Sequence, residues 1–176
     1  NDELVSSNTT FTTPALNSDT TYTAKSYNNT TGCYSAATEA AIVVNEIPAA
    51  PELSGNSRCG TGNVTLNVLN ALNNVTYTWY NANSTQVGTG SSYTAENLAN
   101  TSSYYVTATA NGCTGASATV TATINAIPEA PTASNVELCE AGSTILSVSS
   151  PVAGYTYNWY DAATGGSSLH TGNSYE

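Results

Sequence analysis

Four cysteines, Cys33, Cys59, Cys113 and Cys139, offer the most reactive chemistry in this chain. They stand 26, 54 and 26 residues apart, so no Cys-x-x-Cys pair brings two thiolates within reach of one zinc ion. The chain has two basic residues, Lys25 and Arg58, against twelve acidic ones, and there this spacing reads as the disulfide framework of an exported protein. His170 is the one histidine and lies in the turn-like run from Ser167 to Gly172. Without a second histidine, no repeated Ser/His/Asp or Cys/His machinery can be assembled. Glu52, Glu96, Glu129, Glu137, Glu140 and Asp161 are the carboxylates a glycosidase pair would draw on, but they do not recur at matched positions. No catalytic residue is assigned. Oxygen chemistry leaves one alternative open, a calcium ion between domains held by Glu46, Glu52, Glu129, Glu137 or Glu140. Against it, there is no Asp-x-Asn-x-Asp loop, and Glu46 aligns with Ala126, which has no side-chain oxygen. No metal ligand set and no cofactor are therefore expected. Tyr80, Tyr105 and Tyr160 could stack on sugars, or serve simply as good strand residues.

A net charge of −10, with charged residues only 8% of the chain, excludes nucleic acid as a partner, since phosphates need clustered Lys or Arg. It also argues against electrostatic attraction to anionic membranes. No apolar run approaches the roughly 18 residues of a membrane span, so direct membrane insertion is not expected. Low charge with abundant Thr, Ser, Asn, Tyr, Ala and Gly matches extracellular β-rich modules. The absence of an initial Met and of a signal-peptide pattern fits an interior piece of a processed protein.

What positions these residues is a period of 80. Gly32-Cys33 recurs as Gly112-Cys113, Ile47-Pro48 as Ile127-Pro128, Pro51 as Pro131, and Cys59 as Cys139. Val75-Thr76-Tyr77-Thr78-Trp79-Tyr80 recurs as Tyr155-Thr156-Tyr157-Asn158-Trp159-Tyr160. Cysteines, prolines and tryptophans keep one register, which chance does not explain. About 80 residues can close a small core alone. The expected organisation is the C-terminal half of one repeat over 1–47, a complete repeat over 48–127, and the N-terminal half of the next over 128–176.

Apolar positions alternate between Gly/Asn/Ser clusters, and almost nothing reads as helix. Within the complete repeat the pattern predicts strands near 51–58, 63–69, 74–81, 85–88, 91–96, 103–110 and 115–125. Seven short antiparallel strands in this length indicate an all-β fold, a tandem series of immunoglobulin-like sandwiches. Period-two alternation puts Val75, Tyr77 and Trp79 on one face, and the repeat does the same with Tyr157 and Trp159. The Trp face is assigned to the core. Val64, Leu66, Val68, Val106 and Ala108 are expected to pack opposite it. Tyr22 and Tyr104 each follow a Leu by six residues (Leu16 and Leu98), the position of a tyrosine corner whose phenol bonds back to the turn backbone. Pro48 and Pro51, then Pro128 and Pro131, stiffen the connectors, which suits domains set end to end.

Cys59 and Cys113 are the one cysteine pair inside the complete repeat, so they are expected to bond. In the chain-entropy picture a 54-residue separation contributes on the order of 4 kcal/mol. Cys33 and Cys139 would then have partners outside these 176 residues. One topological condition applies: Cys59 must lie in an extended segment running beside the last hairpin, because the first and last loops of such a sandwich sit at opposite poles.

Cys59-x-x-Gly62, Tyr77-x-Trp79-Tyr80, Thr89-Gly90-x-Ser92-Tyr93, Tyr104-Tyr105-Val106 and Gly112-Cys113-Thr114 form one repeat signature. The third segment adds Trp159-Tyr160-Asp161-Ala162-Ala163-Thr164-Gly165-Gly166. Together these resemble the immunoglobulin-like repeats of very large Bacteroidota surface adhesins, the SprB-like gliding-motility adhesins among them. The resemblance covers the whole chain. It implies export by type IX secretion and extracellular display at the cell surface, associated with the outer membrane. It also implies a non-enzymatic filament that acts in adhesion and gliding motility. Its implied partners are neighbouring repeats, surface polysaccharide, and the outer-membrane gliding or secretion machinery. The alternative is a spacer array or carbohydrate-binding module of a secreted carbohydrate-active enzyme. One departure is Asn81-Ala82-Asn83-Ser84, a loop two residues shorter than its counterpart at Asp161.

Overall fold

The computed structural model describes residues 7–176, and every regular element in them is a strand. The chain divides into two compact units, 1–125 and 126–176. In the first unit the leading segment forms β1 (Thr20–Ala24), β2 (Tyr27–Asn28), β3 (Cys33–Tyr34) and β4 (Thr38–Ile42). β1 pairs antiparallel with β4, and β2 with β3. Tyr22, expected in a core, is only half-buried and meets the Phe11 ring edge-on at 5.3 Å. A two-stranded sheet has no second layer to enclose it.

The complete repeat follows as β5 (Glu52–Ser54), β6 (Asn56–Cys59), β7 (Gly62–Leu69), β8 (Thr76–Asn81), β9 (Gln86–Thr89), β10 (Ser92–Leu98), β11 (Ser102–Ala110), β12 (Cys113–Thr114) and β13 (Ala118–Asn125). One sheet runs β10-β7-β5, and the other runs β6-β13-β11-β8-β9 with β12 beside β11. This is an immunoglobulin-like β-sandwich. The segment read as one strand over 51–58 is two, because the chain changes sheets at Gly55. β5 pairs antiparallel with β7, whereas β6 pairs parallel with β13. A Cβ at Gly55 would stand 2.7 Å from the Thr121 carbonyl oxygen, so the crossing admits only glycine.

Alternation along the strands produces the core. Val64, Leu66 and Val68 of β7 face Tyr77 and Trp79 of β8, Val106 and Ala108 of β11, and Val120 and Ala122 of β13. Trp79, Leu66 and Val106 are the largest fully buried side chains, each worth about 1.5–3 kcal/mol or more of apolar transfer. Val106 and Ala108 do not lie opposite Trp79, as expected from the pattern; they sit in its own sheet, with Val106 paired to Trp79 across β8 and β11. The indole N–H of Trp79 donates to the Gly90 carbonyl at 2.9 Å, and the Leu72 amide donates to the Tyr77 hydroxyl at 3.1 Å. Both polar handles are therefore satisfied as their rings enter the core.

The second unit contains β14 (Thr132–Ala133), β15 (Leu146–Ser149), β16 (Asn158–Tyr160), β17 (Ser168–Thr171) and β18 (Ser174–Tyr175). They form a β14-β15-β18 sheet and a β16-β17 hairpin. The same polar contacts return: Trp159 donates to the Gly172 carbonyl at 3.0 Å, and the Val152 amide donates to the Tyr157 hydroxyl at 2.8 Å. Yet Trp159 and Tyr157 are only half-buried, and the core role expected of them is not fulfilled in this unit. β8 is flanked by β9 and β11, while β16 has β17 alone. Among the described residues no helix is long and apolar enough to cross a membrane.

Candidate functional site

β6 positions Cys59 at its end, beside Asn125 at the end of β13. Cys113 opens β12, paired with Ala110 on the hairpin that precedes β13. The eight-residue β13 runs between the two, which separates them by more than about 20 Å. A disulfide needs Cα atoms within about 7 Å. The expected Cys59–Cys113 bond is therefore not made, and this corrects the pairing inferred from spacing. The segment holding Cys59 does lie beside the last strand, but it runs parallel to it, which carries Cys59 away from the hairpin. All four thiols are unbonded, with Cys33, Cys59 and Cys139 exposed and Cys113 half-buried.

The acid–base candidates are dispersed. His170 is exposed on β17, its ring 5.9 Å from that of Tyr175. The Asp161 carboxylate accepts the Ser167 amide at 2.8 Å, closing its own turn. Among the described residues no three His, Cys, Asp or Glu side chains converge as a metal site, and no polar or charged residue is buried. One phenol departs from its ordinary ionisation: burial pushes Tyr104 up, and the neighbouring Tyr93, which hydrogen-bonds to it, adds to the effect. The Tyr104 ring meets that of Tyr93 at 5.3 Å and a tilt of 55°, so its observed partner is an aromatic neighbour.

The outward face of the larger sheet carries hydroxyls instead of charges. Thr76, Thr78 and Tyr80 on β8 line up with Thr109, Thr107 and Tyr105 on β11. Tyr80 and Tyr105 stack on each other at 4.9 Å and 12°, so each ring commits one face internally. Tyr155, Tyr157 and Tyr160 line an open depression of about 510 Å³ with Pro128 and Pro131. The counterpart of Tyr157, Tyr77, is buried in the core of the complete repeat, whereas the counterpart of Tyr160, Tyr80, lies on the outward face.

The connector before the complete repeat is packed. Pro51 is buried and Pro48 half-buried, and the Asn45 side-chain amide donates to the Asn111 carbonyl at 3.4 Å. A Cβ on Gly115 would collide with the Pro48 carbonyl oxygen. Pro128 and Pro131 are exposed. Sequence reasoning missed Asn45; its signal was the recurrence of the same residue type at Asn125, one period on.

A family model described as "Ig-like domain CHU_C associated" matches residues 48–125 and again 128–176. No curated protein matches the chain. Among solved structures, the chain is similar to the crystal structure of chicken CNTN1 FN1-FN3 domains, at 13% identity and a TM-score of 0.39. That alignment covers 88% of this chain, which spans 65% of the CNTN1 chain.

Proposed function

Because the chain belongs to the CHU_C-associated Ig-like domain family, we propose that it is a structural repeat segment of a filamentous cell-surface adhesin. On this reading the repeats form a stalk outside the outer membrane and serve adhesion and gliding, as in SprB-like adhesins. The segment performs no catalysis, and its partners are neighbouring repeats, surface polysaccharide and the gliding or secretion machinery. One observation carries the reading: the period reproduces scaffold and reproduces no chemistry. Trp79 and Trp159 repeat an indole-to-glycine bond, and Tyr77 and Tyr157 repeat an amide-to-phenol bond. His170 and the scattered carboxylates have no such counterparts. The packed connector at Asn45, Pro48 and Pro51 favours a stalk that resists bending.

Antibodies against residues 48–125 should label intact cells that make the protein, and surface proteolysis should remove the label. Label seen only after permeabilisation contradicts display. A spacer or sugar-binding role in a secreted enzyme is the competing assignment, and the self-stacked Tyr80–Tyr105 pair counts against its sugar-binding form. Glycan-array binding by the chain, lost in Tyr80→Ala, would favour it.

A further inference from the structure

The cysteines that cannot meet within a repeat are placed to meet between repeats. Cys59 ends β6 in register with Asn125, and the Gly60 amide donates to the Asn125 carbonyl at 2.9 Å. Asn125 is the residue one period after Asn45. Asn45, in turn, is tied by its side chain to Asn111, at the turn of the hairpin that bears Cys113. Three residues on, the Pro48 carbonyl closes against Gly115 on the far side of the same hairpin. The two environments describe opposite sides of one junction. In consecutive repeats a single asparagine has the Cys59-position thiol of its own repeat on one side. On the other it has the Cys113-position hairpin of the next repeat.

We propose that a disulfide joins the Cys59-position thiol of each repeat to the Cys113-position thiol of the repeat that follows. The proposal rests on the array reading above. Two S–H bonds break and one S–S bond forms. The two protons and two electrons pass to an incoming disulfide, either oxidised glutathione or a protein dithiol oxidase, which leaves as two thiols. The bond changes how an array bears tension. The shortest covalent path then enters along residues 48–59, crosses the sulfurs to the next repeat, and leaves along 113–125. Residues 60–112, which hold most of each core, lie off that path. Both sulfurs have access for exchange, Cys59 being exposed and Cys113 half-buried.

The test completes the third repeat by appending a copy of residues 95–127 after Glu176, followed by equilibration in a glutathione redox buffer. Four native thiols plus the appended one should fall from five titratable groups to three. Non-reduced peptide mapping should link Cys59 to the appended cysteine and leave Cys33, Cys113 and Cys139 alkylatable. A Cys59–Cys113 link, or five free thiols in a folded chain, overturns the proposal. The 176-residue chain tests the junction separately, without the appended segment. Asn45→Cys should cross-link to Cys113 through a short bismaleimide, and no cross-link overturns the shared junction. Surface labelling reads the adhesin assignment independently, so free thiols on labelled cells sink the staple and leave the stalk.

Discussion

Trp79 and Trp159 occupy the same position of the repeat and donate the same indole hydrogen bond, yet one is fully buried and the other is half-exposed. The difference separates two kinds of information. Turn geometry and the tryptophan–glycine contact are local, settled within the β8–β9 and β16–β17 hairpins and the residues that close them. Burial is not local. It requires β11 and β13, which close the larger sheet over β7 in 48–125 and have no counterpart strands beside β16 in 126–176.

Unequal costs for equal substitutions test that division. Trp79→Ala should remove about 3–5 kcal/mol and unfold the complete repeat, while Trp159→Ala should cost well under about 1 kcal/mol. Urea denaturation followed by residue-resolved backbone amide signals of the mutated unit measures both. Equal losses would erase the distinction. Leu66→Ala against Leu146→Ala repeats the comparison without aromatic contacts, at about 2–5 kcal/mol for the fully buried leucine. Gly55→Ala probes the sheet crossing that only the complete repeat makes. The Cβ forced onto the Thr121 carbonyl should cost about 1–3 kcal/mol in the same melt. A wild-type midpoint there would mean that the crossing is looser than its geometry.

The smallest effect is alkaline. Burial first, and Tyr93 second, raise the Tyr104 phenol above its ordinary value of 10.0. The folded state therefore holds the proton more tightly than the unfolded one. Its contribution is complete below the unfolded-state value and is lost as pH climbs from there through the raised folded value. Stability should be flat to about pH 9 and then fall by at most about 1.4 kcal/mol per pH unit. Tyr104→Phe should flatten this descent, and an unchanged slope would assign it to other groups.

Much of this was legible in the chain alone. Strict alternation at Val64–Leu66–Val68 and Tyr77–Trp79 locates the core faces, because a half-buried strand tolerates no other pattern. Three features escaped. Gly55 looked like an ordinary residue inside one strand, although a glycine in a strand interior is itself a sign of close backbone approach. The parallel course of β6 beside β13 leaves no trace in spacing, so the reach of Cys59 to Cys113 was misjudged. The partner of Tyr104 comes from β10, across the sandwich, and no local pattern announces it.

Amide hydrogen exchange over the 176 residues separates the enclosed core from the half-open unit, since protection reports the free energy of local opening. Slow exchange should be confined to β7, β8, β11 and β13, with β1, β4, β15 and β16 exchanging orders of magnitude faster. Comparable protection in Leu146–Ser149 and Asn158–Tyr160 would contradict it, because a closed core would then exist without the strands that enclose Trp79.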